Sequence, residues 1–285
     1  MKTGKKIAAL FLAVAMTASL AACSQTNSSS ASGTKSQASA KTNSAGASST
    51  ASLEAVKTVK SGVLTMSTNA TFEPFEYKDS GKIVGIDVEI GQKIAQKLGL
   101  KLEINDVSFD SLAMELQTNK GDFVAAGWTE DPDRAKNVDF SDVYYNASQA
   151  IIVKKGSAIQ KTADLKGKTV GVQGGTTGDT YCTDEDGKSA VKVGTVKRFN
   201  KGSDAISDLI NGRIDAVVID DFPANKFVEK NPSKIVKLNQ PLTNEQYAIG
   251  VKKGNKALLN EINSVLKEMK SNGELEQIVE KYKKD

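Results

Sequence analysis

Arg134 is the side chain best placed to do chemistry. It sits in the stretch AGWTEDPDRAKNVDFSDVYY, residues 126–145, on the opening turn of an expected helix. Asp131 is a good N-cap there, and Pro132 suits the first helical position. Upstream, Phe123-Val124-Ala125-Ala126 is a short apolar run of the kind that forms a buried strand. A strand, a polar turn and then a helix carrying arginine can grip a carboxylate. The guanidinium fork matches both oxygens, and the first helix amides point the same way. Spacing alone also fits a surface arginine paired with Asp131 or Asp139.

This block resembles the polar amino-acid-binding proteins of bacterial ABC importers, the extracellular solute-binding proteins of family 3. The resemblance reaches back through Phe72-Glu73-Pro74-Phe75-Glu76-Tyr77, Gly85-Ile86-Asp87-Val88, Ile94-Ala95 and Leu98-Gly99. It runs forward through Val138-Asp139-Phe140-Ser141 and covers the chain from Gly62 to its end. It implies that Arg134 meets the carboxylate of a free amino acid. A buried ligand ammonium then needs a fixed anion, because an unpaired buried charge is very costly. The segment from Gly212 to Asp220 matches the strand whose terminal carboxylate binds that ammonium, which implies Asp220. Open α/β sheets also place ligands at the C-terminal ends of their strands. Asp220 or Asp221 could instead cap the helix that begins near Phe222. Asp215 reads as a structural turn residue.

The resemblance assigns backbone contacts to Gly127 and Thr129, and carboxylate contacts to Thr176 and Thr177. The turn Gly174-Gly175-Thr176-Thr177-Gly178 presents amides at a helix start but is no phosphate loop, since no Gly-Lys-Ser/Thr follows. Phe72 and Phe109 match the aromatic walls of the ligand pocket, and each also fits an ordinary core position. Asn69 and Glu73 share the loop of Phe72. Trp128 stands where the family usually has a smaller apolar residue, and Asp131 where it usually has threonine. Glu73 and Asp131 together favour a ligand with a cationic side chain, such as arginine or lysine.

The remaining chemistry is bounded by absences. The chain has no histidine, which removes Ser-His-Asp and Cys-His catalysis and most zinc sites. It has two cysteines, Cys23 and Cys182. Residues 1–22 have the layout of an export signal, with Lys2, Lys5 and Lys6 before an apolar core from Ile7 to Leu20. At 14 residues that core is short for a membrane span, which needs about 20. Leu20-Ala21-Ala22-Cys23 resembles a lipobox, in which Cys23 receives lipid and becomes the mature N-terminus; a plain secretory signal is the other reading. Cys182 is then alone, and a lone cysteine reads as a small side chain. Residues 23–52 form a Ser-rich tether without aromatic or acidic residues. Such a tether typically spans ~30 Å. Of 38 basic and 34 acidic residues, removing the three signal lysines leaves a charge of +1, which argues against a nucleic-acid partner. No catalytic residue, metal or cofactor is expected.

The elements that position these residues alternate. Expected strands at 63–67, 100–105 and 123–126 flank expected helices at 87–98 and 109–119, and a helix follows Pro132. A second round runs from Ala150 to Leu238, with strands at 150–153, 169–172, 216–219 and 235–238, an extended segment at 191–199, and helices at 203–211 and after Phe222. A last strand at 247–252 precedes helices at 256–271 and 274–283. This alternation indicates parallel βαβ units. The resemblance implies an α/β, two-lobed periplasmic-binding-protein-like (type II) fold. Each lobe has a central, mostly parallel sheet flanked by helices, and two crossover hinge segments lie near 146–150 and 240–247. Lobe 1 is then 53–146 plus 246–285, and lobe 2 is 147–245. The implied partners are a free amino acid, an ABC permease with its ATPase subunits, and the outer face of the cell membrane through lipid on Cys23, for a monomer. Two other readings share the fold: a secreted dehydratase-like enzyme with Glu73, Asp131 or Glu245 as general acid, and a sensor reporting to a receptor.

Overall fold

The computed structural model describes residues 56–184, 187, 189 and 192–284. The expected signal at 1–22, lipidation of Cys23, the tether, residues 53–55 and Val191 lie outside these.

The first strand, β1 (Val63–Thr68), is buried along its whole length and leads into a meander of β2 (Thr71–Phe72), β3 (Glu76–Asp79) and β4 (Lys82–Val84). Helix α1 (Ile86–Leu98) follows, with Ile86, Ile90 and Ile94 fully buried on one face. Gly85 before it is obligatory. Its φ is 134°, and a Cβ there would lie 2.1 Å from the Phe75 carbonyl oxygen. Gly99 closes the helix in the left-handed conformation at φ 66°. β5 (Lys101–Asp106) pairs in parallel with β1; α2 (Leu112–Gln117) and β6 (Phe123–Val124) repeat the unit on the other side of β1.

The helix expected after Pro132 is a single 3-10 turn, Arg134–Lys136, and β7 (Val138–Phe140) begins two residues later. Asp131 does cap it: its Oδ1 accepts from the amides of Asp133 (2.9 Å) and Arg134 (3.0 Å), yet the chain turns into β7 after one turn.

β8 (Tyr145–Ala147) carries the chain out of this sheet into a second one. That sheet contains β9 (Gln149–Lys154), β10 (Thr169–Gln173), then α3 (Thr177–Thr183), β11 (Thr195–Phe199), α4 (Gly202–Ile210), β12 (Ala216–Asp220), α5 (Asp221–Lys230) and β13 (Ile235–Lys237). The chain returns through β14 (Glu245–Tyr247), antiparallel to β8. It then adds β15 (Gly250–Lys252) to the first sheet, so the expected strand 247–252 is two strands. α6 (Lys256–Ser271) and α7 (Glu274–Lys284) complete the fold and pack on α1.

The strand orders are β5-β1-β6-β15-β7 and β11-β10-β12-β9-β13. In each sheet one strand opposes the rest: β15 runs antiparallel to β6 and β7, and β9 to β12 and β13. Each sheet is thus mostly parallel, as the resemblance implied, with one opposing strand. Both opposing strands are the first to enter their sheet after a passage between sheets. They arrive without a covering helix, so no βαβ crossover dictates their direction. The result is a two-lobed α/β fold with mixed sheets. An aromatic cluster sits at the passages, where Phe75 packs edge-on to Tyr145, Phe222 and Tyr247 at 5.0, 5.7 and 5.1 Å.

Candidate functional site

A small cavity lies where the loops of the two sheets face each other. Its lining residues follow the C-terminal ends of the parallel strands. Asn69 and Phe72 follow β1, and Phe109 follows β5. Gly127, Thr129 and Arg134 follow β6; Gln173, Thr176 and Thr177 close β10 and open α3; Asp220 ends β12. Strand ends collect these groups because main-chain direction is shared, so their loops cluster at one edge of each sheet.

Arg134 is held tightly. Nη1 donates to the Thr129 carbonyl at 2.7 Å, Nη2 to the Gly175 carbonyl at 2.9 Å, and Nε pairs with Asp131 at 3.0 Å. Its Cζ lies 5.6 Å from the Phe109 ring centroid and 5.5 Å from that of Trp128. Burial lowers the affinity of this guanidinium for its proton, and the charges of Asp131, Glu245 and Asp220 oppose that effect. Three of its five N–H donors are engaged by these partners, which leaves donor capacity at a cavity wall.

Asp220 is the counterpart. Its carboxyl is 5% exposed and accepts from the Tyr247 hydroxyl. Burial first, and the neighbouring charge of Glu245 second, push its pKa up to about 7. The site thus holds a cation on the first lobe and a buried acid on the second. A further acid, Glu245 on β14, is 7% exposed and accepts from the hydroxyls of Thr129 (2.9 Å) and Thr177 (2.7 Å).

Gly127 must be glycine. Its φ is 51°, and a Cβ there would meet Phe72 at 2.6 Å. Its amide donates to Asp87 Oδ2 at 2.8 Å, as does the Tyr144 hydroxyl at the same distance. Thr176 caps α3: its hydroxyl accepts from the Asp179 amide at 3.3 Å and donates to the Gln173 carbonyl at 2.8 Å. Hydrogen bonds cross directly between the lobes. Besides Arg134 to Gly175, Gln173 Nε2 donates to Asn69 Oδ1 at 3.0 Å.

The structure brings Asn69, Phe72, Phe109, Gly127, Thr129, Arg134, Thr176, Thr177 and Asp220 to one cavity. It does not bring Glu73 or Trp128 there. Glu73 turns away from Phe72 and pairs with Lys230. Trp128 is 2% exposed in a small core with Phe140, at a ring separation of 5.3 Å, and backs Arg134 from behind. Asp131, tied to Arg134, also leaves the expected pair of acids for a cationic ligand side chain without a member at the cavity. Sequence reasoning missed Gln173, whose signal was its place at the end of β10 before the Gly-Gly-Thr-Thr turn. It also missed Gln149 and Tyr247, which carry no pattern that separates them from core. Cys182 is buried among apolar neighbours, and burial pushes its thiol up to about 12, so it is inert. Among the described residues no cluster of acids and cysteine has metal-binding spacing.

The family model of bacterial extracellular solute-binding proteins, family 3, matches residues 64–285. The chain is 36% identical over 282 residues to the arginine-binding extracellular protein ArtP of Bacillus subtilis, with 98% of each chain covered. It is similar to the crystal structure of an arginine-binding protein mutant from T. maritima at TM-score 0.73 and 44% identity, over 79% of this chain and 96% of that one. An ancestral amino-acid-binding protein described as a precursor of cyclohexadienyl dehydratase is similar at TM-score 0.70 and 34% identity, over 78% and 95%.

Proposed function

The chain belongs to the bacterial extracellular solute-binding proteins of family 3, and we propose that it captures a free amino acid with a basic side chain for an ABC importer. The observation that carries the proposal is that Arg134 and Asp220 line one cavity from two lobes. Arg134 meets the ligand carboxylate and Asp220 its α-ammonium, so each buried charge of the zwitterion has a partner. The lobes, taken as 53–146 with 246–285 and as 147–245, close on the ligand because both charges are satisfied only in the closed form.

The basic side chain has support independent of Glu73 and Asp131. Once the zwitterion has engaged Arg134 and Asp220, Glu245 remains as an extra carboxylate whose charge reaches both of them. That excess favours a ligand with one more positive charge. ArtP and the T. maritima protein are named for arginine, in line with this.

The closed form hands the amino acid to a membrane permease whose ATPase subunits supply the energy. The chain acts as a monomer and carries out no reaction. Residues 1–22 are its export signal, and Cys23 carries the lipid that holds it to the outer face of the cell membrane, with 23–52 as tether. Loss of palmitate labelling in a Cys23→Ser variant tests the anchor.

The test of the ligand is a thermal-shift screen of the full chain against twenty amino acids, ornithine and cystine. A ligand that binds only the native state raises the melting temperature. Arginine, lysine or ornithine giving the largest rise is the expected result. Binding of glutamine or cystine with no response to the basic ligands overturns the side-chain assignment; no response to any amino acid overturns the function.

A further inference from the structure

Glu245 stands on β14, one of the two passages between the lobes, yet its carboxylate bonds to both of them. Oε2 accepts from Thr129 Oγ1 at 2.9 Å, on the loop after β6 of the first lobe. The same oxygen accepts from Thr177 Oγ1 at 2.7 Å, at the start of α3 on the second lobe. Thr243 Oγ1 donates to the other oxygen at 2.8 Å. Thr129 and Thr177 both line the cavity.

A hydroxyl has one proton and two lone pairs. With each proton committed to Glu245, Thr129 and Thr177 offer the cavity only lone pairs. Gln149 Nε2, at 3.1 Å, uses one of those on Thr177. The hydroxyls are therefore fixed as acceptors in the cavity wall, on the two sides of Glu245. They suit a ligand N–H and cannot donate to a ligand carboxylate.

We infer that Glu245 is a positioning residue of the binding site, a single hinge carboxylate that latches one hydroxyl from each lobe and sets both to accept from the ligand's nitrogen. This inference rests on the amino-acid-binding reading. It goes beyond that reading by giving the hinge strand a part in retention. Rotation of the lobes apart cannot keep both threonine bonds, since their donors move with different lobes. The latch forms on closing and breaks on opening, so it slows ligand release and leaves ligand entry alone.

The experiment uses the full chain with labelled L-arginine and stopped-flow kinetics, on wild type, Glu245→Gln, Thr129→Val and the double variant. Glu245→Gln is expected to release L-arginine about tenfold faster, the size of a lost charge-assisted hydrogen bond, with the association rate within about twofold of wild type. Thr129→Val is expected to act in the same direction, and the double variant to add little to Glu245→Gln, because both remove the same bond. A general loss of structure would move association and release together and would add. Thr129→Val leaves the carboxylate in place and carries the test if Glu245→Gln does not fold. Wild-type release rates in both single variants, or fully additive effects, overturn the latch. Failure of the wild-type chain itself to retain any amino acid overturns the binding reading instead, and is distinct from retention that Glu245→Gln leaves unchanged.

Discussion

At the scale of single residues, the site is a buried charge pair waiting for its complement. Arg134 is ordered by Thr129, Gly175, Asp131 and two aromatic faces, all of them parts of the protein itself. Such preorganisation lowers the entropy cost of binding. Replacing Arg134 by Met removes the only fixed cation among the described cavity-lining residues and leaves the ligand carboxylate unpaired. Calorimetry is expected to show a loss of about 3 kcal/mol or more, roughly a hundredfold or more in Kd, with the fold retained. Near wild-type affinity would remove Arg134 from its role. Asp220 adds a pH signature. Its carboxyl has a pKa raised to about 7, so below that pH it carries a proton that must leave before an ammonium can pair with it. Affinity is therefore expected to be level near pH 7 to 8 and to fall by up to roughly tenfold per unit below it. Asp220→Asn should bind weakly and lose this dependence; a wild-type affinity that stays flat from pH 5 to 8 would contradict the assignment. The sequence marked these two residues by the blocks that hold them, and the structure brings both to the cavity, Asp220 at the end of β12 and Arg134 on the turn after β6. It does not bring Glu73 or Trp128 there. Each neighbours a lining residue in the chain, but in or beside a turn or bend, where adjacency in sequence does not fix which way a side chain points. Phe72 and Gly127 face the cavity, and their neighbours face Lys230 and Phe140.

At the scale of elements, helix boundaries were legible wherever a cap carried them. Gly99 ends α1 in left-handed backbone, and Asn255 caps α6 by accepting from the Leu258 amide. The length of the turn after Pro132 was not legible, because a cap marks where a helix starts and not where it stops, and pairing of β7 with β15 takes the chain at Val138. Nor was the contact of β3 with the start of α1, where Glu76 and Asp87 are both fully buried. The two carboxyls lie close together, neither Glu76 oxygen has a hydrogen-bond partner among the described residues, and no basic group among those residues offsets their burial. Burial and the charge of Asp87 raise Glu76 well above its ordinary value; burial raises Asp87 to about 6, against the Gly127 amide and Tyr144 hydroxyl that favour its ionised form. A carboxyl whose pKa rises on folding costs nothing below its unfolded value and destabilises the fold as pH climbs toward the folded value. Between about pH 4 and 6 this pair makes stability fall with rising pH, by roughly 1.4 kcal/mol per unit for each group that titrates. Glu76→Gln keeps the shape, removes one titration and supplies an N–H to the Asp87 oxygen that has no other donor. Urea unfolding is expected to show the variant gaining on wild type as pH rises from about 4.5 to 8. A variant that is less stable than wild type at pH 8 would show that the carboxyl itself is needed.

At the scale of the whole molecule, two passages between the sheets, at 145–147 and 245–247, pair as an antiparallel ribbon that is itself aromatic-packed. Nothing in periodicity announces that geometry. Local patterns give strands and helices, whereas the insertion of β15 into the first sheet joins residues more than a hundred positions apart and is set by packing. The family resemblance supplied what periodicity could not. Two kinds of contact now bridge the lobes, and they should respond differently to salt. Glu73 and Lys230 form an ion pair whose side chains are 27% and 58% exposed, so it is solvated and screened. Arg134, whose side chain is 14% exposed, is enclosed, and on the proposed reading so is its bond to the ligand carboxylate. Lys230→Ala is accordingly expected to weaken amino-acid binding by less than about fivefold at low ionic strength, and to match wild type at 1 M salt, where the Debye length is about 3 Å. The loss in Arg134→Met should persist at both salt concentrations, because no counterion reaches a closed cavity. If Lys230→Ala instead costs as much as Arg134→Met and keeps that cost in high salt, closure is governed at the mouth of the cleft, and the zwitterion clasp is not what holds the lobes together.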